Sequence, residues 1–421
     1  MVVEGEKMLN GFLHELSSSV DIMSIVLENG LVVIGDGRTI KDATLVVEGS
    51  RIVELGAGVK PPHDAKKIHD CTGKTIMPGL MDCHAHLFSV LELGGQPEIE
   101  TRAMLGARDA RTLLRAGFTT VKDAGTFNYL NVKLRDAINT GWLVGPRIQT
   151  CGVVTMTGGH MWQMGAIEAD GADEFRKAAR THLKNGVDLV KVCASGGGAT
   201  PISPVAAPSA TVEEMQAAFE EAHKFGKRTC VHCYSAQGIK NSIEAGVDMI
   251  DHGSLMDDEC IRLMAAKGVY WCGPTLAMRL IREAKWPYSK ERGLPEFRYK
   301  KSMELLDYIR SYQPLRKALE AGVKIANGAD FSGSRQEGVP FPANAMELEA
   351  LVKFGMTPMQ AITAATKTAS ECLGVSSELG TLEVGKLADI LVVDGDLTRE
   401  ITLLQNRSKI PLVLKGGEQV L

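Results

Sequence analysis

His84 and His86 stand one residue apart at the end of the run Pro78-Gly-Leu-Met-Asp-Cys-His-Ala-His86. On a β-strand alternate side chains share a face, so the two imidazoles project together while Cys83 and Ala85 point the other way. Two imidazoles at that spacing can grip one divalent ion. The pair gains weight from four residues downstream. Lys191, His232, His252 and Asp330 each fall at or near the end of a strand-like segment. Imidazole with carboxylate suits Zn²⁺, and also Mn²⁺, Co²⁺ or Fe²⁺. Lys191 is the unusual member, a lysine among apolar neighbours in Asp188-Leu-Val-Lys191-Val, where a charge is expensive. Either it pairs with a buried carboxylate such as Asp330, or CO₂ has converted its amine to a carbamate, an anion able to bridge two ions.

Other residues stand close to this set in the pattern. Tyr234 shares a strand face with His232 and can bind a substrate carboxylate or carbonyl, or simply pack. Asp82 shares parity with His84 and reads as an orienter of the ligands rather than a ligand. Asp123 ends a strand without a clear role. Ser195-Gly-Gly-Gly198 resembles a phosphate loop but lacks the following Lys-Ser/Thr, so it reads as a flexible substrate loop.

The elements that must position these groups alternate. From Thr75 to about Gly374 strand-like and helix-like runs follow one another. Strands are expected at Thr75–Asp82, Thr119–Asp123, Arg147–Val154, Leu189–Ala194, Arg228–Tyr234, Met249–His252, Val269–Gly273 and Val323–Ala326, and helices at Thr211–Phe225 and Met303–Ala321. Eight such strands predict an α/β fold, a (β/α)₈ TIM barrel over 75–374, whose active site lies at the C-terminal strand ends. On either side the pattern is β only: Ser24–Glu28, Leu31–Ile34, Ala43–Glu48 and Arg51–Leu55 before the barrel, with turns at Asn29-Gly30 and Asp36-Gly37, and Asp389–Val393, a turn at Asp394-Gly395 and Ile410–Lys415 after it. Segments 1–74 and 375–421 are expected to pair into one small β-sandwich interrupted by the barrel. Residues 1–20 read as a polar, frayed extension, and 284–300, broken by Pro287 and Pro295, as a long loop of the kind that shapes a substrate pocket.

Composition bounds the function. The chain has 421 residues, 44% hydrophobic and 23% charged, with a net charge of −4, which argues against nucleic acid or an anionic membrane as the main partner. No apolar stretch approaches the roughly 18–20 residues of a membrane span. With no secretory pattern near the N-terminus, a cytoplasmic location is expected. The nine cysteines are odd in number and scattered, which reads as buried free thiols in a reducing compartment. Cys230-x-x-Cys233 lies inside a strand pattern and not at a helix start, against a redox or zinc-finger role.

Taken together, the chain resembles the amidohydrolase superfamily, and within it the imidazolonepropionase/prolidase-like branch of dinuclear metal-dependent dipeptidases. The carrying motifs are Pro78 to His86, Gly158-Gly-His160, Asp188-Leu-Val-Lys191, Val231-His232-Cys-Tyr234, Ile250-Asp-His252-Gly, Ala326-Asn-Gly-Ala-Asp330 and Gly385-Lys-Leu-Ala-Asp-Ile-Leu-Val-Val-Asp394, spread over roughly residues 24–415. The resemblance implies that His84, His86, Lys191 and Asp330 hold a more buried ion, and Lys191, His232 and His252 a more exposed one. A CO₂-derived carbamate on Lys191 and a hydroxide would bridge two divalent ions, with zinc the first candidate. Asp330 would act as general base and then acid, and His160 would stabilise the oxyanion. The implied activity is metal-dependent cleavage of an amide or peptide bond in a small carboxylate-bearing substrate. Xaa-Pro or other dipeptides, or N-acyl amino acids, would be cut in dipeptidase or carboxypeptidase-like fashion. Relatives often assemble, so a homo-oligomer is expected by analogy. Two alternatives stand beside this reading. A mononuclear ring hydrolase or deaminase of the imidazolonepropionase kind does not need a bridging lysine. A non-catalytic scaffold would typically have lost ligands.

Overall fold

The computed structural model describes residues 24–63, 65–88, 98–197, 200, 204–273, 314–332 and 342–420. The expected extension at 1–20, Gly198, the loop 284–300 and the first part of the helix Met303–Ala321 lie outside the described residues.

The N-terminal β unit is built from β1 (Ser24–Val33), β2 (Thr39–Glu48), β3 (Arg51–Ala57), β4 (Lys67–Asp70) and β5 (Lys74–Pro78). The turn expected at Asn29-Gly30 is instead an irregularity within one strand. β1 runs on against β2, with its register shifting between Leu27 and Gly30 and again before Val32. Asn29 takes a left-handed backbone (φ 62°), and a Cβ at Gly30 would lie 2.6 Å from Ile76, so the dipeptide makes a bulge under close packing. Asp36-Gly37 is a turn as expected, closed by the Ile34 N–H on the Arg38 carbonyl.

The expected first barrel strand, Thr75–Asp82, is two strands. β5 pairs with β1 in the small sheet, whereas β6 (Leu80–His86) pairs with β7 (Phe118–Asp123). The chain crosses between the sheets at Gly79, where a Cβ would sit 2.1 Å from the Thr119 hydroxyl. An apolar run across such a crossing shows no break in sequence, because both sides are buried.

The barrel continues with β8 (Arg147–Thr155), to which the short β9 (Ile167–Glu168) is added, then β10 (Leu189–Cys193), β11 (Arg228–Ser235), β12 (Met249–Leu255), β13 (Tyr270–Cys272) and β14 (Ile325–Ala326). Each pairs in parallel with the next around the ring. The segment after β14 closes the ring: Cys83 N–H donates to the Asn327 carbonyl, Asp330 N–H to the His84 carbonyl, and β15 (Phe331–Ser332) pairs in parallel with β6. The eighth stave therefore carries Asp330 on to the ends of the first.

Helices pack outside the ring. The helix Val212–Lys224 starts in a capping box, with the Thr211 hydroxyl accepting from Glu214 N–H and the Glu214 carboxylate accepting from Thr211 N–H. The main core lies between these helices and outward residues such as Leu80, Val121, Val154, Val190, Val192, Val231 and Ile250. Inside, an apolar floor of Met81, Cys83, Cys151, Leu189, Cys230, Met249 and Cys272 is closed by Ala369 and Cys372 of the helix Lys367–Leu373. All nine cysteines are free and buried, as expected.

The C-terminal strands β16 (Ile390–Asp394), β17 (Leu412–Lys415) and β18 (Glu418–Gln419) return to the small sheet, β16 lying antiparallel to β5. That sheet wraps its own core of Ile25, Leu27, Leu45, Ile76, Ile390 and Leu414 among others.

Candidate metal centre

Two residues above the apolar floor the barrel interior turns polar. Lys191 follows Leu189 by strand alternation, His232 follows Cys230 and Asp251 follows Met249. Strict alternation would then send His252 outward. Its backbone is left-handed (φ 72°), followed by Gly253 at φ 63°, and this break turns a second consecutive side chain into the site. Asp330 is also left-handed (φ 53°). Such backbone costs about 1–3 kcal/mol at a non-glycine residue and persists where its surroundings enforce it.

The structure brings the sequence-identified residues together. Asp330 Oδ1 lies 3.4 Å from His84 Nε2 and 3.6 Å from His86 Nε2, and Oδ2 lies 3.9 Å from His252 Nδ1. The ring centroids of His84 and His252, and of His232 and His252, are 4.7 Å apart. His84, His86 and Asp330 form a group whose donor atoms lie within 4.8 Å of one another. His232 Nε2 is 3.2 Å from the Gly196 carbonyl. A carbonyl only accepts, so Nε2 carries the hydrogen and Nδ1 keeps its lone pair. His160 stacks on His232 at 4.1 Å, its Nδ1 3.1 Å from the Thr200 hydroxyl. Tyr234 meets the His232 ring edge-on at 4.8 Å and the His252 ring at 5.0 Å.

Lys191 does not pair with Asp330. Its Nζ is 3.5 Å from Asp251 Oδ2, and Asp251 also holds Lys122 Nζ at 2.9 Å through Oδ1. All three side chains are essentially inaccessible. Lys122 and Asp251 escaped the sequence reading, although Lys122 carries the signal that marked Lys191, a lysine inside an apolar strand. Cys83 was expected on the outer face. The pairing of β6 with β7 slips between Asp82 and Ala85, and Cys83 joins the barrel floor beside Cys272. Asp82 accepts from the backbone N–H groups of His84 and Ala329 and from the Asn344 amide, so it clamps the first stave to the loop that carries Asp330. Asp123 ties the next strand end in the same manner, accepting from Leu87 N–H, Gly125 N–H and the Asn131 amide. Ser195 accepts from Tyr234 N–H, which fixes the start of the loop after β10.

Burial sets the protonation states. It pulls His84 down to about 4 and holds His86, His232 and His252 well below the usual imidazole range, so all four are neutral near pH 7. Burial also pushes Asp330 up to about 7. Neutral imidazoles and a carboxylate in one cup are donors a divalent ion takes, whereas Lys191, against the pull of burial, is held in its ammonium form by the Asp251 charge and would become a donor only on losing its proton. His84 Nδ1 and Nε2, Lys191 Nζ and Asp251 Oδ2 are buried close together without a well-aligned hydrogen bond, a situation that ordinarily costs about 1–3 kcal/mol per group and that ligation at His84 Nε2 would relieve in part. The residues therefore fit a metal centre.

A family model described as "Amidohydrolase family" matches residues 75–420. The ochratoxinase of Aspergillus niger is 28% identical over 445 aligned positions, covering 96% of this chain and 88% of that protein. The imidazolonepropionase of Rhizobium rhizogenes is 25% identical, covering 85% and 88%. A crystal structure of a Xaa-Pro dipeptidase with methionine bound in its active site superposes with a TM-score of 0.84 at 31% identity, covering 94% of this chain and 99% of that one.

Proposed function

The chain belongs to the amidohydrolase family, as a metal-dependent hydrolase of C–N bonds, and from that premise we propose that it cleaves the amide bond of a small carboxylate-bearing substrate. Dipeptides, Xaa-Pro among them, and N-acyl amino acids are the proposed class. The observation that carries the reading is the convergence of His84, His86 and His252 on the Asp330 carboxylate, with Lys191 buried beside them.

The proposed ligand set is His84, His86, Lys191 and Asp330 for one ion and Lys191, His232 and His252 for the other, with Lys191 as its carbamate and zinc as the metal. Bound there, two divalent ions would acidify a water and polarise the scissile carbonyl. The chain's own residues do the rest. Asp330 takes a proton from the attacking water and returns it to the leaving amine, and a carboxyl poised near 7 suits both steps. His160, held by Thr200, faces the cup from the β8 side and is placed to donate to the carbonyl oxygen as charge develops. Burial keeps Tyr234 a neutral phenol, a donor for the substrate carboxylate.

No helix among the described residues is long and apolar enough to cross a membrane. The nine buried thiols support a cytoplasmic setting. Exposed Trp142, Leu143 and Val144 on one turn support a homo-oligomer.

The test is turnover of a panel of Xaa-Pro and other dipeptides, N-acyl amino acids, their carboxamide counterparts and imidazolone-type rings. Cleavage of the free acids, with kcat/KM falling at least about tenfold for the carboxamides, supports the reading. Ring opening or ammonia release from the heterocycles, with the acids untouched, would replace it by the ring-hydrolase reading, which the similarity to imidazolonepropionase keeps in view.

A further inference from the structure

A lysine at the centre of a barrel strand needs a reason, and the proposed ligand set gives Lys122 none. It lies in β7, fully buried, with its ammonium 2.9 Å from Asp251 Oδ1 and 3.4 Å from the Met249 sulfur. Burying an ammonium costs several kcal/mol unless a carboxylate compensates it. Here that carboxylate is Asp251, whose other oxygen lies 3.0 Å from His84 Nδ1 and 3.5 Å from Lys191 Nζ. His84 in turn directs Nε2 toward Asp330. The groups form a continuous line: Lys122, Asp251, His84, and then the face where His84, His86 and Asp330 converge.

We propose that Lys122 is a positioning residue for the metal centre, fixing the Asp251 carboxylate so that Asp251 holds His84 Nδ1 and His84 presents Nε2 as the ligand atom. The inference rests on the reading of His84 as a ligand. A carboxylate behind a ligating imidazole fixes its tautomer and ring angle and raises its basicity. Asp251 has rivals for its second oxygen, since His84 and Lys191 both reach it. Lys122 occupies the first oxygen and thereby sets which way the carboxylate plane faces. Lys122 and Asp251 also balance each other in charge, so Lys191 is not needed as the counter-ion and is left to the centre. A purely structural ion pair in this place would have no cause to face a ligand histidine.

The test is a double-mutant cycle on the full-length protein with Lys122→Met, Asp251→Asn and the pair of them. The readouts are Co²⁺ affinity by chelator competition and the visible spectrum of the Co²⁺-loaded protein. Lys122→Met is expected to weaken binding at the His84 site about 10- to 100-fold and to shift the Co²⁺ bands. On the Asp251→Asn background it should add less than about threefold, because Lys122 acts through Asp251. Lys122→Arg, which keeps the cation, should recover most of the affinity. Should Lys122→Met not fold, the double variant, which removes both members of the Lys122–Asp251 pair, and Lys122→Arg carry the comparison. Unchanged Co²⁺ affinity and spectrum in Lys122→Met, with only a lower melting temperature, would overturn the proposal. So would fully additive losses in the cycle. Wild-type protein that binds no Co²⁺ would overturn the metal-centre reading itself, whereas wild-type binding with Lys122→Met unaffected removes only Lys122.

Discussion

At the scale of single residues, environment assigns different work to groups of similar chemistry. Asp82 and Asp123 are both buried and pushed up to about 6, yet each is tied to backbone N–H donors and a side-chain amide. Asp330 carries no such ties to main-chain donors through its carboxylate among the described residues, and burial takes it to about 7. Asp330→Asn is expected to lower kcat by about 10²- to 10⁴-fold without unfolding the chain, measured by steady-state kinetics with circular dichroism as control. A loss below tenfold would remove Asp330 as the proton carrier. The metal-free protein should also show pH-dependent binding with a definite sign. A protonated carboxyl is a poor ligand and an ammonium is none, so affinity rises with pH, more steeply below about 7, where Asp330 has still to ionise, than above it, where only Lys191 has still to lose its proton. The histidines do not impose that rise, being held neutral by burial. A flat affinity between pH 5.5 and 7 would contradict the assignment.

At the scale of elements, the sequence showed the staves more clearly than their ends. Alternation located β7, β8, β10, β11 and β12 because outward Val and Ile residues alternate there with inward residues. It failed where the backbone leaves the regular β conformation. The left-handed His252 puts Asp251 and His252 on one side, and the slip in β6 moves Cys83 to the floor. Neither departure has a local sequence marker, since both are imposed by neighbouring strands. The six proposed ligands stood out as candidates, five because polar groups are rare inside strands and Asp330 because it follows one, and Lys122 carried the same strand signal but was passed over. Asp251 was hidden by its neighbour, the histidine. The loop after β10 gives a test at this scale. A Cβ on Gly197 would lie 2.3 Å from the His160 ring, so Gly197→Ala should displace His160 and cut kcat about tenfold or more while bound metal is unchanged. Outside the ring, Arg180 and then Lys224 hold Glu221 down to about 2, stapling the helices Ala172–Lys184 and Val212–Lys224. A depressed carboxylate contributes stability that is present above about 4.5 and is lost as pH falls toward 2. Glu221→Gln should therefore melt lower than wild type at pH 7, and the gap should close between pH 4.5 and 2. A gap independent of pH would mean that the ion pair is not its source.

At the scale of the whole molecule, one barrel carries all the proposed ligands, and the small sheet joins the described segments that flank it in sequence. Pairing of β16 with β5 joins segments about three hundred residues apart, and β5 passes directly into the stave that bears His84 and His86. Sequence gave that pairing its outline through the β-only pattern on both flanks, but not the crossing at Gly79, where apolar character is continuous. The central claim is that the cup at the strand ends holds two ions through a shared Lys191. Metal content per chain, measured by plasma emission spectroscopy on protein purified without chelator and compared with Lys191→Ala, tests it most directly. The account predicts about two ions per wild-type chain and a marked loss in the variant, whereas one ion per chain, unchanged by Lys191→Ala, would contradict it.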